Sequence, residues 1–98
     1  MRAFKSDGRY NLHSQGFHHI VQFRWHSASE TKLFNNLAKE LTETYGPVRS
    51  FDQEKRVYQW NSTWRYEANR SAKRRRIYLK DESVLTLALL KIGVENGN

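Results

Sequence analysis

The sequence predicts an α+β fold: a small antiparallel sheet of three to five strands in β-α-β-β-β-α order, covered on one face by one or two helices. Three observations lead there. Apolar and polar residues alternate from Phe17 to His26, apolar residues recur at helical spacing from Leu33 to Tyr45, and alternation returns from Val48 onward. A chain of 98 residues has room for one domain. At that size about 60 to 65% of the unfolded surface is buried, which makes a single modest core.

Residues 1–16, MRAFKSDGRYNLHSQG, mix charge and glycine with scattered apolar positions and read as a flexible arm. Residues 17–93 then form the domain, and 94–98 a disordered tail. In FHHIVQFRWH, Phe17, His19, Val21, Phe23 and Trp25 share one face of a strand, and His18, Ile20, Gln22, Arg24 and His26 the other. The SASE stretch at Ser27 to Glu30 fits a capping box, in which Ser27 accepts from the Glu30 N–H and the Glu30 carboxylate reaches back to the Ser27 N–H. A helix follows on Leu33, Phe34, Leu37, Ala38, Leu41 and Tyr45, and Gly46-Pro47 ends it.

VYQW at Val57 to Trp60 and WRYEA at Trp64 to Ala68 flank Asn61-Ser62-Thr63, and the spacing predicts a hairpin between them. Period two puts Tyr58, Trp60, Trp64 and Tyr66 on one face, expected to be core beneath the helices. A third strand over Arg74 to Lys80 turns Ile77 and Leu79 inward with Arg75, and sets Arg74, Arg76, Tyr78 and Lys80 outward. The last element, ESVLTLALLKIG, fits a helix capped by Asp81 with Leu85, Ala88, Leu89 and Ile92 as its stripe and Gly93 as its stop. It also fits a strand returning along Arg74 to Lys80; the Leu and Ala content, the length and the caps favour the helix.

Composition narrows the function. No cysteine is present, so disulfides, thiolate metal sites and thiol nucleophiles are excluded. No segment approaches the roughly 18 apolar residues of a membrane span, and neither a membrane partner nor a signal peptide is expected. A soluble, cytoplasmic protein is the expectation. His18 and His26 share a strand face but lie about 26 Å apart at the usual rise, and without cysteine or paired carboxylates no metal and no cofactor is expected.

The net charge of +7 is uneven: residues 48–80 carry +7, whereas 27–47 carry −1 and 81–98 carry −2. Such a field attracts nucleic acid or an acidic protein surface. Its densest part is Arg70 to Arg76, with five basic residues in seven. Arg65, Arg70, Lys73, Arg74, Arg75, Arg76 and Lys80 are the candidate phosphate contacts, with Tyr78 placed to stack on a base and Arg24 and Gln22 extending the row. A solvated edge protected by Lys and Arg is the plainer account of the same residues.

The resulting expectation is a small, basic, non-enzymatic nucleic-acid-binding accessory protein. A second is an inhibitor or adaptor of viral or mobile-element type, docking its basic face on an acidic partner. A third comes from RRRIYLKDESVLTLALLKIG, which resembles the C-terminal hairpin of RelE-like ribonuclease toxins if residues 84–92 are a strand. That resemblance implies RNA cleavage, and His26 or His18 beside the arginine row would be the acid or base. With a final helix the order is instead similar to ferredoxin-like and double-stranded-RNA-binding architectures, which fixes topology and not function.

Overall fold

The computed structural model describes residues 1–91 and 93, and the fold is α+β. Strands β1 (Arg2–Lys5), β2 (His19–Arg24), β5 (Trp64–Asn69) and β6 (Arg74–Leu79) make a four-stranded antiparallel sheet in the order β1-β2-β6-β5. Helix α1 (Ala28–Tyr45) and helix α2 (Glu82–Lys91) cover one face. Strands β3 (Arg49–Asp52) and β4 (Val57–Trp60) pair only with each other. Among the described residues no helix is long and apolar enough to cross a membrane.

Helix α1 begins where its cap places it, with Ser27 Oγ accepting from the Glu30 N–H at 3.2 Å. Only half of the capping box forms. The Glu30 carboxylate turns to the Arg24 N–H at 3.2 Å, the Arg24 guanidinium and the Met1 ammonium, because β2 enters beside it. Those cationic and N–H partners, the Met1 ammonium foremost, hold its carboxyl below the usual range. At the other end Gly46 has φ 89°, and its N–H reaches Thr42 O at 2.9 Å.

The final segment is a helix over Glu82–Lys91, which removes the strand alternative there and with it the condition on which the RelE-like resemblance rested. Asp81 Oδ1 accepts from the Val84 N–H at 3.2 Å, as a cap should. Leu85 and Ala88 are buried as expected, joined by Val84, with Leu89 packed at the margin. Ile92 and the 94–98 tail lie outside the described residues.

The main core lies between helices and sheet: Phe34, Leu37 and Leu41 from α1 and Val84, Leu85 and Ala88 from α2 meet Val21, Phe23, Trp64, Ile77 and Leu79. A second, smaller cluster occupies the opposite face of the sheet. There Phe17, Ile20 and Tyr78 are covered by Phe4, Tyr10 and Leu12. Residues 1–16, expected as an arm, therefore supply an edge strand, a turn of 3-10 helix at His13–Gln15 and the lid of this cluster. The alternation had put Phe17 with Val21 and Ile20 with the polar face. Instead β2 starts only at His19, Phe17 belongs with Ile20, and both are at most 1% exposed.

The hairpin expected across Asn61-Ser62-Thr63 does not form. Asn61 Nδ2 donates to Tyr45 O at 2.7 Å and Pro47 O at 3.2 Å, and its N–H to Val48 O at 2.8 Å. The chain is redirected there, so β4 pairs back with β3 while β5 pairs with β6. Consequently the four aromatics part company: Trp64 is core, Tyr66 stacks on it at the margin, and Tyr58 and Trp60 stand more than half exposed on the ribbon.

Candidate functional site

Register decides which basic residues meet. Across the face opposite the helices, one row of paired residues runs Arg2, Gln22, Arg76, Glu67, and the next runs Phe4, Ile20, Tyr78, Arg65. Arg24, Arg74 and Asn69 form a third row at the other end. The N-terminal segment covers the Ile20 row with Phe4, Tyr10 and Leu12 and reaches the Arg76 row through Tyr10. Its edge leaves a cleft of about 490 Å³ lined by Arg9, Tyr10, Asn11, Leu12, Glu67, Arg74, Arg76 and Tyr78.

The arginines of the cleft are held but not consumed. Arg74 Nε donates to Glu67 Oε1 at 3.1 Å. Arg76 Nε donates to Gln22 Oε1 at 2.8 Å, and its guanidinium lies 5.2 Å from the Tyr10 ring centroid. Arg9, at the rim, grips Asp7 through Nε at 3.1 Å and Nη2 at 2.8 Å. Those hydrogen bonds hold the Asp7 carboxyl below its usual value. Because each contact uses only part of a guanidinium fork, donors remain for a phosphodiester, and the fixed side chains lose less entropy on binding one.

Burial pushes the Tyr78 phenol above its usual value, against the opposing effect of the Arg76 guanidinium. The unfolded chain then releases this proton near pH 10, before the folded one does. Stability from Tyr78 is thus complete below about pH 10 and is lost as pH rises through the higher folded value. Urea midpoints measured from about pH 9 to 11 should fall more steeply for the wild type than for Tyr78→Phe. Parallel slopes would mean that the phenol is not desolvated.

Of the candidate contacts, only Arg74, Arg76 and Tyr78 line the cleft. Arg65 and Lys80 share the face but sit at its covered end, each over the Phe17 ring, and Lys80 Nζ also donates to Gln15 O at 2.8 Å. Arg75 points to the helix side, where Nη1 donates to Trp25 O and Thr31 Oγ1, both at 3.2 Å. Arg70 and Lys73 occupy the exposed β5–β6 turn, with Lys73 at φ 53°. The row of four outward side chains is therefore not open along its length, since Tyr78 is 5% exposed.

Arg9, Tyr10 and Glu67 are site residues that the sequence reading missed. Arg9 and Tyr10 sit in a stretch without period, and nothing local says that it folds back. Glu67 was legible in principle: once the turn at Arg70–Lys73 joins β5 to β6, Glu67 must face Arg76. Neither His18 nor His26 lines the cleft; His18 packs on His13, with ring centroids 4.9 Å apart. Among the described residues no three His, Asp or Glu side chains gather as metal ligands. No family model, curated protein or solved structure matches the chain.

Proposed function

We propose that this protein binds nucleic acid, gripping phosphates between β6 and the N-terminal segment. The observation that carries the proposal is the convergence of Arg9, Arg74 and Arg76 on one cleft, with Arg24 and Arg2 on the same sheet face. Arg24 and Arg74 are antiparallel neighbours and Arg74 and Arg76 lie at i, i+2, backbone spacings of about 5 to 7 Å that suit successive phosphates reached by long side chains. Tyr10 and Tyr78 both line the cleft, with the Tyr10 ring against the Arg76 guanidinium. The role is binding rather than catalysis, for the carboxylate in the cleft, Glu67, is already engaged by Arg74.

Anisotropy of labelled 20-nucleotide RNA and DNA, measured over a range of salt, tests this. Arg74→Ala with Arg76→Ala should weaken binding about tenfold per residue and reduce the salt slope by roughly 1.5 to 2. Arg75→Ala, whose side chain lies on the helix side, should leave the slope nearly unchanged. Equal slopes for all three proteins would sink the proposal. A stoichiometric acidic protein that copurifies after nuclease treatment, through Arg74 and Arg76, would replace nucleic acid as the partner of this face.

A further inference from the structure

The β3–β4 ribbon exposes a set of rings that the core does not use. Arg49 pairs with Trp60 and Phe51 with Tyr58, so all four side chains share one ribbon face. Phe51 is 50% exposed, Tyr58 60% and Trp60 55%. Single exposed apolar residues are ordinary, but a contiguous aromatic face marks an interaction surface.

Cations are interleaved with these rings. The Arg49 guanidinium lies 3.9 Å from the Tyr58 centroid and 5.4 Å from that of Trp60. Arg65 lies 4.9 Å from Trp60 and 5.1 Å from Phe17, and Lys80 follows at 4.8 Å from Phe17. A track of alternating ring and cation thus runs from the ribbon to the covered end of the basic face. Arg65 Nε is buried with no hydrogen-bond partner among the described residues. The ribbon is also fixed at its base, where Asn61 ties it to the end of α1.

We propose that this ribbon is a stacking platform for the unpaired bases of single-stranded nucleic acid, an inference that rests on the phosphate-binding reading above. A single strand offers one flat ring and one anion per unit, which is the alternation that Tyr58, Arg49, Trp60 and Arg65 display. A wholly apolar partner would desolvate Arg49 without compensation, and an acidic peptide would leave the rings in water. Duplex bases are already stacked on one another and present no face to Trp60. RNA and DNA strands share the chemistry recognised here.

The test uses labelled 12-mers of uridine and of thymidine and a 12-base-pair duplex. They are titrated with the wild type, Tyr58→Ala/Trp60→Ala and Arg74→Ala/Arg76→Ala, with circular dichroism and light scattering on each protein. The ring variant should keep its fold and its salt slope and lose roughly tenfold or more in affinity for single strands, with duplex affinity unchanged. Single-strand binding should quench tryptophan emission, and Trp60→Phe should remove most of that quenching. Uridine and thymidine strands differ in both the sugar and the base methyl, and a loss on either supports the platform.

If single-strand affinity is unchanged in the ring variant but falls in the arginine variant, the platform is overturned and the phosphate grip stands. Failure of the wild type to bind any of the three ligands overturns both. A wild-type dimer that the ring substitutions dissociate would show that a second copy covers the ribbon, and would likewise overturn the platform.

Discussion

Trp64→Ala should cost about 3 to 5 kcal/mol in urea or thermal unfolding, while Trp60→Ala, four residues earlier, should cost less than about 1 kcal/mol. Trp64 is 1% exposed and contacts the main core where both helices meet the sheet. Its Nε1 donates to Gly46 O at 3.1 Å, so truncation opens a cavity and also leaves that carbonyl with only the longer bond from Asn61 Nδ2 at 3.3 Å. Native domains are held by only about 5 to 15 kcal/mol, and the variant should be close to unfolding at physiological temperature. Trp64→Phe keeps most of the volume and should retain enough stability for a full transition. Equal losses at positions 60 and 64 would refute the separation of β4 from β5 that this contrast measures.

Ile20→Asp should be about as damaging, at roughly 4 kcal/mol or more, although strand alternation puts Ile20 on the polar side of β2. On a solvated face an aspartate between His19 and Val21 would be nearly neutral. In the structure Ile20 is 0% exposed beneath Phe4, Tyr10 and Leu12. A carboxylate there must be desolvated or take up a proton, and stability should recover partly as pH falls toward the shifted carboxyl value. His18→Asp, two residues before Ile20 but exposed, is the control. If the two variants melted together, residues 1–16 would be an arm after all and the cleft would lose the wall that carries Arg9 and Tyr10.

The two variants probe different gaps in what the sequence reveals. In Trp64 the gap is pairing. Alternation says that Tyr58, Trp60, Trp64 and Tyr66 have a common parity, but parity is defined only within one sheet, and Asn61 breaks the chain into two. At Ile20 the gap is coverage: an apolar residue on a mostly polar face is isolated until Phe4, Tyr10, Leu12, Phe17 and Tyr78 arrive from elsewhere in the chain. The candidate site suffered from both. Arg74, Arg76 and Tyr78 were rightly grouped by period two, Arg75 was drawn to the helix side by that same period, and the walls given by Arg9 and Glu67 needed tertiary contacts to appear.

By itself the sequence determined the local elements: α1 with its Ser27 cap and Gly46 stop, and the inward parity of Val21, Phe23, Ile77 and Leu79, while at α2 it offered the Asp81 cap beside a strand alternative. Each is written within a few residues, in side-chain hydrogen bonds to nearby N–H groups and in the repeat lengths of helix and strand. Tertiary structure alone decided that β6 lies between β2 and β5, that β3 and β4 stand apart, and that residues 1–16 roof the second face. Those outcomes depend on which distant groups best satisfy one another's hydrogen bonds and bury one another's surface, and no window of the sequence contains both partners.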